Sequence, residues 1–388
     1  MIYLDYNATT PLSAAACRAM RPFLEEHFGN PSSVHAAGRE ARAAIDDARD
    51  RIAALLGAKL HEIIFTSGGT EANNLAVLGL ARRHASKGKH LISNRAEHHA
   101  VLHAIEHLEQ RENFEVSWLD LSTEGLLDPK QLEAALRPDT ILVSIMTANN
   151  ETGVIQPISE MLECCRRHNV VLHSDMVQSF GKMPSAWPAL PDAASFGAHK
   201  FYGPKGAGFL YLRSGVAIDP IQFGGAHENQ RRPGTENVAA IAGMAVAAEE
   251  VLRDLPDEQA REAELRDQLW RGIGRVFPAA QLNAGGAPRL ANTLNVSFPG
   301  FGSETMLMAL DLEGICASSG SACMVGSVVA SHVLLAMGLS SERAGSAIRF
   351  SLGKETSAAE IEQTIAAVER IVNRRSVRLN EPMEHAEV

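Results

Sequence analysis

The sequence predicts a two-part α/β chain: a large domain on a mostly parallel sheet with helices on both faces, then a smaller α+β domain. Three observations carry this. The chain has 388 residues, more than the ~250–300 at which one hydrophobic core stops growing. Short runs that are apolar on both faces alternate with stretches of helical spacing, as in a parallel sheet covered on each side. Near Asn237 that alternation gives way to long helical patterns.

In chain order, "EIIFTS" reads as a strand and "TEANNLAVLGLARRHA" as a helix, with Leu75, Leu78 and Ala81 on one face. The runs "HLISN", "FEVSWLD", "TILVSIMTA", "VVLHSD", "AASFGA" and "GAGFLYLR" follow as strands, the first three each separated by a helix-like stretch. A long helical region then runs through "NVAAIAGMAVAAEEVLRDL" and "EQAREAELRDQLWRGI". "TLNVSFPG" and "SAIRFSLG" are wider-spaced strands of the second part, and the polar tail "RRSVRLNEPMEHAEV" is expected to fray. The expected boundaries are 16–258 for the large domain, with 1–15 and 259–388 forming the small one.

Composition narrows the class. The chain is 45% hydrophobic and 21% charged, an ordinary globular balance. No apolar run approaches the ~18 residues of a membrane span. The opening "MIYLDYNATTPL" lacks the pattern of a signal peptide. Five cysteines, two of them adjacent at Cys164 and Cys165, suit reduced thiols better than a disulfide framework. A cytoplasmic location is therefore expected. The net charge of −10 argues against sequence-independent nucleic-acid binding, which needs a basic surface.

Three stretches carry chemistry. In "FTSGGTEANN" a strand ends, Gly68 and Gly69 follow, and a helix begins near Thr70. A helix N-terminus approached through glycines suits a phosphate; a plain strand-to-helix turn has the same pattern. Asp175, in "VVLHSDMVQSFGK", falls where an apolar strand ends, the edge at which open α/β sheets bind ligands. It could pair with a protonated ring nitrogen or simply cap a helix. Lys200, in "SFGAHKFYGPKGAGFLYL", stands before a Gly/Pro-rich turn, where a neutral amine can form a Schiff base. Lys205 is its rival, in an exposed-looking turn. Jointly the three meet the needs of pyridoxal phosphate: a phosphate cradle, a partner for the pyridinium, and a lysine for the aldehyde.

With these in place the sequence resembles the cysteine desulfurases, class V pyridoxal-phosphate enzymes of fold type I, over nearly its whole length. The resemblance rests on "YLDYNATTP", "FGNPSSVH", "FTSGGTEANN", "EHHAVL", "ANNETGV", "HSDMVQSFGK", "AHKFYGPKG", "RRPGTENV", "SSGSAC" and "IRFSLG", in the family's order. The loop length around Cys323 is similar to the branch that supplies sulfur for iron–sulfur clusters and tRNA thiolation.

The resemblance implies specific roles. Lys200 would hold pyridoxal 5'-phosphate, with Asp175 on the pyridine nitrogen. Gln178 and Asn150 would hydrogen-bond near the ring hydroxyl and the substrate. His98 would stack on the ring and move protons. Gly69, Thr70 and His199 would surround the phosphate, and Thr235 would reach the phosphate of a partner subunit in a homodimer. Asn7 and Arg349 would bind the substrate carboxylate, for which a guanidinium fork is suited. L-cysteine would become alanine as the Cys323 thiolate takes the sulfur as a persulfide and passes it to an acceptor protein, a cluster scaffold or a sulfurtransferase. No metal is implied.

Some positions depart from the family pattern. Gly197 stands where a serine is common, which removes a hydroxyl from the phosphate site. Met176 follows Asp175 in place of a small residue, where it either crowds the ring or fills core. After Cys323 the chain reads Met324, Val325, Gly326, then Val328, Val329 and Ala330, a more apolar run. His99, His103 and His107 share a helix face at a spacing that can bind zinc, but Glu106 and Glu109 make that face read as solvated. Cys17, Cys164 and Cys165 are expected as packing residues in helices, and Cys316 as a buried strand residue. Two further readings remain beside the desulfurase: a relative acting on selenocysteine or another amino acid, and a cofactor-bearing scaffold without turnover.

Overall fold

The computed structural model describes residues 1–183, 190–320 and 330–380, with side chains described to 374. Cys323 and the apolar run Met324–Val329 lie outside the described residues, as do the last residues of the tail. Among the described residues, seven strands form the main sheet. Their order across it is Ile63–Thr66, Gly208–Leu212, Ala193–Gly197, Val171–Asp175, Thr140–Ser144, His90–Asn94, Glu115–Leu119. Gly208–Leu212 runs antiparallel to both neighbours, and the remaining pairings are parallel. These are the seven runs singled out from sequence. Their side chains are almost all buried, except on the edge strand Glu115–Leu119, which explains why they read as unbroken apolar runs.

Register places chemistry at one edge. Asp175 pairs with Ser195 in the neighbouring strand, and Gly197 pairs with Gly208. The strand ends at Asp175 and Gly197 therefore face the start of helix Gly69–His84. Below them Phe209 pairs with both Phe65 and Phe196, and the Phe196 and Phe209 rings stack at 4.3 Å. Met176 is 1% exposed in this same cluster, so it fills core rather than crowding the cavity.

A smaller antiparallel sheet sets Thr293–Ser297 between Ala347–Ser351 and Gln281–Leu282. The N-terminal strand Ile2–Tyr3 pairs with Ile315–Cys316, which ties the first residues to the second half of the chain. The long helical region expected after Asn237 is one helix, Val238–Val276, of 39 residues, continuous through Pro256. Proline removes a helical donor and usually kinks or breaks a helix. Here Met244, Ala248 and Val251 are seated in the main core, and Leu265, Leu269 and Ile273 in the second. Packing on both sides of Pro256 overrides the local cost. Of the cysteines, Cys164 and Cys165 are buried as expected. Cys17 is exposed and Cys316 only partly covered, because Cys17 faces away from the helix stripe on which Ala16 packs.

Strands Thr140–Ser144, Val171–Asp175 and Ala193–Gly197 are cross-linked by one buried ring. His173 lies 2.8 Å from Ser144 Oγ through Nδ1 and 2.9 Å from Ser195 Oγ through Nε2. Burial pushes its pKa down to about 3, so the folded protein keeps it neutral. In the unfolded chain it titrates near ~6.5. Stability from this group is thus complete above ~6.5 and is lost as pH falls from there toward 3, because the unfolded state then takes up a proton that the fold refuses. We expect the melting temperature to drop through this window, and His173→Gln to flatten part of the drop. Equal slopes for both proteins would remove His173 from the account.

Candidate active site

A cavity of about 500 Å³ opens at the strand edge, within the ~300–1,000 Å³ of small-molecule sites. Gly69, Thr70, His98, Asp175, His199 and Lys200 line it. Asn7, Asn150 and Gln178 line it as well, together with Arg349 from the smaller sheet. Ten of the twelve residues singled out from sequence thus meet in one place. Cys323 lies outside the described residues. Thr235 is exposed and lines a neighbouring recess, which shares Ser67 and Gly206 with the main cavity.

Each side chain is held by its local structure. Asp175, 6% exposed, ends its strand. Its Oδ2 accepts from Asn73 Nδ2 at 2.6 Å and its Oδ1 from the Val177 N–H at 2.9 Å. Lys200 follows strand Ala193–Gly197 in a short 3₁₀ turn. Its Nζ donates to the carbonyls of Asn7, at 2.6 Å, and Ala8, at 2.8 Å. Lys205 is exposed in the next turn, at the rim. The helix starting at Gly69 aims its free N–H groups at the cavity. A Cβ on Gly197 would stand 3.3 Å from Gly69 N, so the missing serine hydroxyl is missing from the helix-start end.

His98 caps helix His99–Arg111, its Nδ1 accepting the Ala100 N–H at 3.1 Å. That bond assigns the proton of the neutral ring to Nε2. Burial holds the ring below its ordinary pKa, against the opposing pull of Asp175. Burial likewise pushes His199 down to about 4, with Lys200 adding to the effect.

Arg349 is 2% exposed. One amino group donates to Asp5 Oδ1 at 2.7 Å and the other to the Asn150 carbonyl at 3.0 Å. Its Nε–H has no hydrogen-bond partner among the described residues. A buried unpaired donor is costly, and a substrate carboxylate would satisfy it. Asn7 behaves differently from Arg349. Its Oδ1 accepts from Lys182 and Asn292, and its Nδ2 donates to the Asn150 carbonyl and Thr293 Oγ1. With its amide so engaged, Asn7 serves as a strut between the two sheets.

Two site residues had not been singled out. Asn73, one turn into the helix that starts at Gly69, orients Asp175. Lys182 is partly buried and donates to Gln178 Oε1 at 2.8 Å and Asn7 Oδ1 at 3.0 Å. Burial, then Lys200, pushes Lys182 down to about 7. Both residues stand inside quoted motifs, at i+4 from Gly69 and i+4 from Gln178; that spacing was the available signal. His99, His103 and His107 do not gather around a shared point. His99 stacks on His103 with ring centres 4.8 Å apart, and His107 pairs with Glu112 at 3.4 Å.

Comparison with known proteins decides the lineage. The aminotransferase class-V family matches residues 2–364. The chain belongs to the class-V aminotransferases. Among its relatives, the cysteine desulfurase IscS of Dictyoglomus turgidum is 47% identical over 374 residues, covering 96% of this chain and 95% of that protein. A solved NifS-like protein superposes with a TM-score of 0.90 at 35% identity, covering 96% of this chain and 99% of that one. SspA, solved in complex with cysteine, gives 0.80 at 34% identity, covering 91% and 99%.

Class-V aminotransferases act through pyridoxal phosphate, and this site fits it. The buried Asp175 carboxylate has no cation partner among the described residues' ion pairs. The helix start at Gly69 and the Lys200 amine line the same cavity. A pyridinium, a phosphate and an aldehyde would satisfy these three groups in turn.

Proposed function

We propose that this chain is a cysteine desulfurase, releasing alanine from L-cysteine and carrying the sulfur as a persulfide on Cys323. The meeting of Lys200, Asp175, His98 and Arg349 in one cavity carries the reading, together with relatives that bear that name. Bound pyridoxal phosphate supplies an electron sink for bond changes at the substrate's α and β carbons. Lys200 holds the cofactor and then takes the Cα proton at Nζ. Asp175, oriented by Asn73, keeps the pyridine nitrogen protonated. Arg349 fixes the substrate carboxylate through its unpaired Nε–H. His98 holds a proton at Nε2 for delivery beside the cofactor ring.

The atoms balance. The substrate C–S bond breaks and an S–S bond forms on the Cys323 sulfur. The β carbon gains a proton, so alanine leaves and no outside reductant is consumed. A reductant or acceptor is needed only to discharge the persulfide. Thr235, exposed beside the cavity, would serve the site of a second copy in a homodimer. An acceptor protein in cluster assembly or thiolation, met in the cytoplasm, completes the proposal. No helix among the described residues is long and apolar enough to cross a membrane.

The test pairs two readings on protein loaded with pyridoxal phosphate. L-cysteine is added without reductant, alanine is quantified, and mass spectrometry locates added sulfur. Alanine with sulfur on Cys323, both lost in Cys323→Ser, supports the proposal. Absence of alanine from cofactor-loaded protein would overturn it for free cysteine.

A further inference from the structure

Away from the cavity, three side chains of different chemistry meet where two helices pack. Glu133 lies on helix Pro129–Ala135, and Cys164 on helix Ile158–Arg167, with His168 just past its end. Their ligand atoms are a carboxylate oxygen, a thiol sulfur and a ring nitrogen, and all lie within 4.8 Å of one another. Cys164 is buried, whereas Glu133 and His168 are exposed. Cys164 and His168 stand four residues apart, the spacing that stacks side chains on one helix face. None of the three lines the active cavity. His168 precedes strand Val171–Asp175, so the cluster stands at the opposite end of that strand from Asp175.

The spacing between them suits ligands. Cys164 Sγ donates to Glu133 Oε2 at 3.5 Å. Zinc bonds of ~2.3 Å to sulfur and ~2.0 Å to oxygen, at a tetrahedral angle, set those two atoms ~3.5 Å apart. A zinc ion can therefore take the place of the shared proton without parting them. His168 Nδ1 lies 3.1 Å from the Cys164 carbonyl. A carbonyl only accepts, so Nδ1 carries the ring proton and Nε2 the lone pair. Zinc-binding histidines are oriented in this way, the other ring N–H donating to a carbonyl or carboxylate. Exposure and a place past the helix end let the ring swing the remaining distance. Arg167 also donates to Glu133 Oε2. Their side chains are 56% and 49% exposed, and such pairs are weak, so Arg167 can move to Oε1 as a metal takes Oε2.

We infer that Glu133, Cys164 and His168 form a zinc site that pins helix Pro129–Ala135 to helix Ile158–Arg167, with water as the fourth ligand. The donor set selects the metal. A thiolate and an imidazole favour Zn²⁺ over Mg²⁺ or Ca²⁺, which take oxygen ligands. Charge balances as well, since two anionic ligands and a neutral ring cancel the two charges of the ion. That balance matters beside the apolar cluster of Leu132, Met161 and Leu162. Binding releases the thiol proton to solvent and changes no oxidation state. Burial, then Glu133, holds the Cys164 pKa above its ordinary value, so the thiol keeps its proton until a metal displaces it.

Cobalt(II), which absorbs light where Zn²⁺ is silent, is the probe. Untagged protein loaded with pyridoxal phosphate is stripped with a chelator, titrated with Co²⁺, and then competed with Zn²⁺. We expect one equivalent of Co²⁺ to bind with a thiolate-to-metal absorption band, and Zn²⁺ to displace it. Cys164→Ser should abolish the band. His168→Gln and Glu133→Gln should each weaken binding at least ~10-fold, the lower scale for losing even a residue that only supports a ligand. Arg167→Met removes the competitor for Glu133 and should tighten binding by up to ~5-fold, the scale of an exposed ion pair. Zn²⁺ should raise the melting temperature of wild type and not of His168→Gln, while the two make alanine from L-cysteine at the same rate. Absence of the band in wild type would overturn the inference, as would a band that survives Cys164→Ser and so belongs to another thiol. If Cys164→Ser fails to fold, the exposed His168→Gln decides, and wild-type affinity in that variant overturns the site.

Discussion

Lys200→Ala will leave a folded protein that makes alanine from L-cysteine roughly 10³-fold or more slower than wild type. The estimate combines the loss of a covalent anchor with the loss of a positioned base, which alone contributes ~10²–10⁴-fold. The fold survives because the hydrogen bonds that Lys200 makes are partly duplicated. The Asn7 carbonyl also accepts from Gln178 Nε2 at 2.8 Å, whereas the Ala8 carbonyl loses its Lys200 donor. A stability loss of about 1 kcal/mol is the scale of one such bond. Alanine formation by stopped assay and melting by circular dichroism check the two halves separately. A small primary amine added to the variant should restore part of the rate, since it supplies the missing base. Activity within tenfold of wild type would transfer the role to another amine, with Lys205 at the cavity rim the first to examine.

Asp175→Asn is expected to cost about 10²–10⁴-fold in turnover with little change in stability. The local structure predicts that the fold will tolerate the swap. Val177 N–H and Asn73 Nδ2 both donate to the carboxylate, and one of these would face the new amide as donor against donor. Asn73 can turn its amide over, because its Oδ1 has no hydrogen-bond partner among the described residues. The variant then keeps its hydrogen bonds and lacks only the negative charge. What disappears is the group that keeps a pyridinium protonated at neutral pH. Asn73→Ala, which leaves the charge but frees its orientation, should show a smaller loss. If Asp175→Asn retained full turnover, the pyridinium partner would have to be sought elsewhere.

The sheet was legible because burial on both faces writes itself into sequence as unbroken apolar runs, and "VVLHSD" or "GAGFLYLR" needed no partner to be recognised. The ends of those runs were equally clear, so Asp175 and Lys200 could be placed at one edge. What stayed hidden depends on contacts across the chain. Asn7 looks like a ligand-binding amide until Lys182, Asn292 and Thr293, all distant in sequence, are seen to engage it. Cys17 reads as core because helical spacing marks a stripe without saying how wide it is.

The helix Val238–Val276 has a consequence for how the molecule comes apart. One end of this rod is built into the main core and the other into the second. Neither core can melt without stripping the rod of half its support, and a helix that loses half its packing is a poor nucleus for what remains. Heat should therefore take the two cores down in a single cooperative step, and the cavity between the sheets is lost in that step rather than before it.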